Sequence, residues 1–153
     1  MNLRIGNYLE ARKHSELIAK WYKQEWNVPE ELTIERLDRF QNTIPFQVIV
    51  FKDEIPVATG GIYNEVGLFK EFPHYKANQP WLALLYTIPE CRGLGIGTYL
   101  CDFLDRELIG SGYKEYFLFT STAESLYLKQ NWVPIDRVID RGKPTVIMKK
   151  TLL

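Results

Sequence analysis

The sequence predicts a mixed α/β domain: a twisted, mostly antiparallel sheet with a central parallel strand pair (a βαβ unit), flanked by helices. Three observations predict it. Two continuously apolar runs, Trp81-Leu82-Ala83-Leu84-Leu85-Tyr86 and Tyr116-Phe117-Leu118-Phe119, bracket one helical stripe, which is the pattern of two parallel strands joined by a helical crossover. On each side of that unit lies a pair of strand patterns joined by a short turn, and such pairs return antiparallel. The 153 residues suit one domain with a sizeable core, expected here to span 1–153 without linker or internal repeat.

Leu3-Arg4-Ile5 reads as a short opening strand. From Ser15 to Trp26, Leu17, Ile18, Trp21, Tyr22 and Trp26 form a helical stripe, ended by Pro29. Thr33 to Gln41 repeats the pattern with Ile34, Leu37 and Phe40. Phe46 to Phe51 and Ile55 to Tyr63 read as a hairpin around Lys52-Asp53-Glu54, and Gly60-Gly61 inside its second strand marks a bulge or a close backbone approach. Asn64 to Pro80 shows no periodicity and is long for a structureless loop, a length often tied to function. The run from Trp81 is too short for a typical helix and suits a strand buried on both faces. After Pro89 a glycine-rich stretch leads into a helix with Ile96, Tyr99, Leu100, Phe103, Leu104 and Leu108 on its apolar side, stopped by Gly110-Ser111-Gly112. Ser121-Thr122-Ala123-Glu124 matches a capping box opening a short helix, with Glu124 read as its capping residue and Asn131 as its C-terminal cap. Trp132 to Ile139 and Thr145 to Met148 form the closing hairpin.

An apolar fraction of 46% argues against disorder. Nineteen Lys and Arg balance nineteen Asp and Glu, which argues against a partner recruited by charge, such as a nucleic acid or an anionic membrane. Cys91 and Cys101 have no neighbours at metal-ligand spacing and read as reduced thiols, with no metal implied. The N-terminus has no continuous apolar stretch of signal-peptide type, and the longest apolar run is far below the roughly 20 residues of a membrane span. The expectation is a soluble, cytoplasmic protein.

The chemistry-bearing segment is Arg92-Gly93-Leu94-Gly95-Ile96-Gly97, set between a strand and a helix. Glycines allow close approach of a ligand to the backbone, and the first helical turn presents unpaired N–H groups. With the helix dipole these make an anion site, and Arg92 adds a forked cation. A P-loop would need Lys followed by Ser or Thr after the last glycine. A dinucleotide fingerprint would need glycine where Thr98 stands.

Arg92-x-x-Gly95-x-Gly97 resembles the Q/R-x-x-G-x-G/A signature of the GNAT superfamily of acyl-CoA-dependent N-acetyltransferases. Leu85-Tyr86-Thr87-Ile88-Pro89 looks like that family's fourth strand with its terminating proline. Leu126 to Trp132 resembles the F-Y-x-x-x-G-F motif, with Leu, Asn and Trp in place of Phe, Gly and Phe. The resemblance covers nearly the whole chain. It implies acetyl-CoA as co-substrate, its diphosphate cradled by Arg92, Gly93, Leu94, Gly95, Ile96, Gly97 and Thr98. It also implies a pantetheine arm running beside Leu85, Tyr86 and Thr87, and Tyr127 as the acid that protonates the leaving thiolate.

Amide formation needs a neutral amine. At pH 7 about one lysine-like amine in 2,500 is neutral, a handicap of roughly 4.6 kcal/mol, so a base or a depressed amine pKa is expected. The family often uses a carboxylate on the fourth strand, and Trp81 to Ile88 carries none. Glu65 and His74 are the candidate bases. Glu25 is a candidate holder of a cationic acceptor, and Phe72 and Tyr75 are candidate pocket residues. The acceptor is a small-molecule or peptide amine. A homodimer is common in the family, though no residue here marks an interface. The alternative is a non-catalytic acyl-CoA sensor on the same fold.

Overall fold

The computed structural model describes residues 1–153. Seven strands, β1 (Leu3–Gly6), β2 (Phe46–Lys52), β3 (Ile55–Tyr63), β4 (Trp81–Thr87), β5 (Glu115–Thr120), β6 (Val133–Asp140) and β7 (Lys143–Thr151), form a sheet of order β1-β2-β3-β4-β5-β7-β6. Five helices accompany them: α1 (Tyr8–Lys13), α2 (Ser15–Trp26), α3 (Glu30–Arg39), α4 (Ile96–Gly110) and α5 (Glu124–Leu128). The sheet is mostly antiparallel, with β4 and β5 as its parallel pair. The chain divides into two compact units, Met1–Ile62 with Leu84–Leu104, and Tyr63–Ala83 with Asp105–Leu153.

In the first unit β2 and β3 pair around Asp53 and Glu54, both with positive φ (50° and 66°), the geometry of a tight hairpin turn. Arg4 of β1 forks onto Glu54 (2.7 and 2.9 Å), binds Glu10 of α1 (3.0 Å), and lies 4.1 Å over the Phe51 ring. Helix α1 carries too short a periodic stretch to show in the sequence. It forms because Asn7 caps it, its side chain accepting from the N–H of Leu9 and of Glu10. Helix α2 has the expected bounds and ends on Asn27 in the left-handed region. Pro29 is the residue before α3, which therefore starts three residues earlier than its periodicity suggests. The close approach foreseen at Gly60-Gly61 is present at Gly60. A Cβ there would lie 2.9 Å from Leu85 Cδ1 and 3.5 Å from Leu85 Cα.

In the second unit the stretch after β3 is not structureless. Gly67–Lys70 and Pro73–Ala77 form two 3₁₀ turns. They supply Leu68, Phe69 and Tyr75 to a core cluster with Trp81, Phe117 and Ile147, and burial of those side chains overrides the absence of periodicity. Glu71 accepts from the N–H of Arg141 at 3.1 Å and Tyr75 donates to Asp136, so the segment is tied to the β6–β7 hairpin. The capping box does not form. Thr120 Oγ1 accepts from the N–H of Thr122 and Ala123 instead, and Glu124 makes a two-bond ion pair with Arg137 (2.8 and 2.7 Å). A two-point charge-assisted bond outcompetes a reach back to the helix start. Asn131 does close α5, with φ +70° and the Trp132 N–H returning to Tyr127 O.

Phe117 is 2% exposed at the centre of this cluster. Phe117→Ala is expected to destabilise the fold by about 3–5 kcal/mol through lost transfer energy and a residual cavity. Urea unfolding, read as a fall in midpoint at unchanged slope, checks it.

Candidate active site

Strand β4 begins in the core and ends half-open. Trp81, Leu82 and Tyr86 are buried, whereas Ala83, Leu84, Leu85 and Thr87 are half-buried, so the expected burial on both faces holds only for its first residues. Leu84 has φ +58°, a conformation rarely adopted by a branched side chain and one that breaks the alternation of the strand. Its carbonyl accepts from the Tyr22 hydroxyl at 2.6 Å. Past Thr87, the Ile88 N–H binds Val57 O (2.9 Å), and a short 3₁₀ turn at Pro89–Cys91 leads to the glycines.

The turn itself is shaped by Gly93 and Gly95, with φ +80° and +81°. A Cβ at Gly93, Gly95 or Gly97 would meet nothing within 4 Å, so the space over the turn is open. Helix α4 starts at Ile96, and its first backward bond runs from Tyr99 N to Gly95 O (3.0 Å). The N–H groups of Ile96, Gly97 and Thr98 precede that bond and have no partner within the helix. Ile96 is buried and fixes the first helical turn, while Leu94 and Thr98 are exposed. Donors held by a rigid scaffold beneath open space at a helix N-terminus fit a diphosphate.

Arg92 is half-exposed and braces the turn. Its Nε donates to Thr87 O at 2.9 Å, its guanidinium lies 5.5 Å from the Tyr86 ring, and Nη2 is 3.7 Å from Glu25 Oε2. Glu25 is therefore placed at the glycine turn. Tyr86 packs on Trp21 and Trp26 of α2, and burial raises its phenol pKa, opposed by the nearby Arg92 charge.

In the second unit Tyr127 is buried on α5 and packs edge-on to Trp132 (6.0 Å), which packs on Tyr116 (4.6 Å). Glu65 is exposed just past β3. His74 is exposed, its ring centroid 4.3 Å from that of Tyr75. Phe72 packs at the edge of the core cluster. Tyr75 lies within it, its phenol pKa pushed up to about 12 by burial first and by its bond to Asp136 second. Both cysteines are buried. The groups present include no cluster of three His, Cys, Asp or Glu side chains able to hold a metal ion. No helix is long and apolar enough to cross a membrane.

A sequence profile described as the acetyltransferase (GNAT) family matches residues 14–131. The chain belongs to that family. It is an acyl-CoA-dependent acetyltransferase, with acetyl-CoA as its co-substrate. A search of curated protein sequences finds no match. Among solved structures, the acetyltransferase is similar in fold to an aminoglycoside 6′-N-acetyltransferase complexed with coenzyme A, at TM-score 0.76 and 15% identity over 100% of this chain and 98% of that one. Ard1 from Thermoplasma volcanium matches at TM-score 0.78 and 12% identity over 100% and 99%. An N-acetyltransferase from Staphylococcus aureus Mu50 matches at TM-score 0.77 and 13% identity over 100% of both chains.

Sequence reasoning missed the Leu84 conformation and the Tyr22 hydroxyl that meets it. Tyr22 reads as one more core aromatic on α2. The available signal was Gln47, a lone amide inside the otherwise apolar strand Phe46 to Phe51.

The Tyr75–Asp136 bond gives a pH dependence. Asp136 has its pKa lowered, chiefly by the Tyr75 hydroxyl and then by the Arg137 N–H. A folded-state pKa below the unfolded value stabilises above the unfolded pKa, and that stabilisation is lost as pH falls through the folded pKa. Tyr75→Phe is expected to flatten the loss of Tm below about pH 4, checked by thermal unfolding of both proteins from neutral to acid pH.

Proposed function

We propose that the acetyltransferase moves the acetyl group of acetyl-CoA onto a primary amine of a small molecule by direct attack in a ternary complex. The observation that carries this reading is the open glycine turn at the head of α4, whose amides and Arg92 suit the coenzyme's diphosphate. Arg92, Gly93, Leu94, Gly95, Ile96, Gly97 and Thr98 hold that diphosphate in this reading. The segment Leu85, Tyr86 and Thr87, with Leu85 and Thr87 half-buried, takes the pantetheine arm through main-chain groups in this reading.

In the transfer the amine nitrogen bonds to the acetyl carbon, the carbon–sulfur bond breaks, the amine gives up one proton and the departing sulfur takes one. Tyr127 supplies the proton to sulfur, a role supported by its place in the Leu126 to Trp132 motif. Glu65 or His74 receives the amine proton, since β4 itself carries no carboxylate. Phe72 stands as the residue proposed to meet the acceptor; Glu25, beside Arg92 at the glycine turn, and Tyr75, buried with its hydroxyl on Asp136, are engaged elsewhere. The fold similarity to an aminoglycoside acetyltransferase supports a small amine of that general size.

Thiol release from acetyl-CoA with a panel of aminoglycosides, polyamines and short peptides tests the reaction. Release that depends on a small amine is expected, and release with none of them contradicts it. Tyr127→Phe is expected to lower turnover about 100-fold while costing no more than about 1.5 kcal/mol of stability. Unchanged turnover removes Tyr127 from the mechanism. Gly95→Ala is expected to destabilise by about 1 kcal/mol, because alanine is strained at positive φ. It also places a methyl group in the open space over the turn, and calorimetry is expected to show coenzyme A binding weakened about tenfold, or about 1.4 kcal/mol.

A further inference from the structure

A chain of buried polar groups runs through the apolar layer beneath β4. Tyr22, Gln47 and Thr59 are 1%, 1% and 0% exposed. Thr59 donates to Val48 O at 2.7 Å, Gln47 Nε2 donates to Thr59 Oγ1 at 2.8 Å and to the Tyr22 oxygen at 2.7 Å, and Tyr22 donates to Leu84 O at 2.6 Å. These bonds link α2, β2, β3 and β4. Their direction is fixed by chemistry. An amide nitrogen only donates, so the Tyr22 oxygen must accept from Gln47 and send its own proton to Leu84.

The far end of the chain is the strained residue. Leu84 at φ +58° carries a backbone conformation that costs on its own and persists only where surroundings enforce it, and such residues gather at functional sites. Two features enforce it: the Tyr22 hydroxyl on its carbonyl, and the missing side chain at Gly60, which lets Leu85 come close. A peptide is planar and trans, so the Leu84 carbonyl and the Leu85 N–H point in opposite directions. Clamping the first sets the aim of the second.

We infer that Tyr22, oriented by Gln47 and Thr59, is a positioning residue for the acyl-transfer reaction: it holds the Leu84 carbonyl and thereby aims the Leu85 N–H that receives the acyl-pantetheine arm. This inference rests on the proposed reading of β4 as the strand along which that arm binds. A bond made at the arm, remote from the diphosphate, separates the two ends of the coenzyme energetically. The arm's contribution depends on Tyr22, and the nucleotide's contribution does not.

Calorimetric titration tests this without any acceptor amine. Acetyl-CoA and its pantetheine-free nucleotide fragment, 3′-phospho-ADP, are each titrated into the wild-type chain, Tyr22→Phe and Gln47→Glu. Gln47→Glu keeps the Tyr22 ring but replaces the donating amide by a group that draws the hydroxyl proton away from Leu84. In each folded variant the Kd for acetyl-CoA is expected to rise about tenfold, the scale of one buried hydrogen bond. The Kd for the fragment is expected to stay within about twofold. Equal weakening of both ligands means a general structural role and overturns the inference, as does unchanged acetyl-CoA affinity in either variant. A wild-type chain that binds neither ligand overturns the cofactor reading itself and this inference with it. Unaltered wild-type binding beside insensitive variants overturns the inference alone.

Discussion

The constraint on which the first unit depends is the passage of the backbone from the end of β4 into the start of α4. Two residues there take positive φ, and Gly93 and Gly95 are the residues that do so without steric cost. The passage is held from both sides. On the strand side, Arg92 binds Thr87 O, the Ile88 N–H binds Val57 O, and Cys91 is buried. On the helix side, Tyr99 closes the first turn onto Gly95 O while Ile96 and Leu100 anchor it in the core. The amides at the helix tip are thus ordered before any ligand arrives, so binding an anion there does not have to organise the loop.

Tyr22, Gln47 and Thr59 are buried polar groups bonded to one another. Buried hydroxyls and amides cost free energy unless bonded, and a connected chain of them specifies one arrangement of the elements it joins. The Thr59–Gln47–Tyr22 chain joins four elements and ends on a strained carbonyl. The ion pairs follow a different logic. Arg4 with Glu10 and Glu54, and Glu124 with Arg137, are solvent-accessible pairs that fix local geometry. Exposed pairs of this type add little to stability.

What the sequence reveals and what it hides divide along physical lines. The strand–helix–strand unit and the glycine turn are legible because uninterrupted apolar runs and clustered glycines each suit only a narrow set of backbone geometries. The two hairpins are legible because short polar stretches, Lys52-Asp53-Glu54 and Asp140-Arg141-Gly142-Lys143, separate strand-like runs, and the chain does reverse there, with Asp53, Glu54, Arg141 and Gly142 at positive φ. The segment from Asn64 to Pro80 is not legible, because its 3₁₀ turns owe their shape to Leu68, Phe69 and Tyr75 finding a core supplied by distant residues. The ion pair of Glu124 is hidden for the same reason, as Arg137 lies on another element. Leu84 is the deepest omission. Nothing about a leucine in an apolar run announces a left-handed backbone, and the hydroxyl that binds it comes from a helix 62 residues earlier. For the candidate site, the glycine turn follows from local chemistry, whereas the residue proposed to meet the acceptor is brought into place by long-range packing that no short motif encodes.

Main-chain amides at the head of α4 gripping the diphosphate of the coenzyme are central to the proposed reaction. The most direct measurement is a titration of coenzyme A into isotope-labelled protein, followed at each backbone amide by NMR. The largest amide shifts are expected on Gly95, Ile96, Gly97 and Thr98. Saturable binding that leaves those four amides unmoved would contradict the proposed grip.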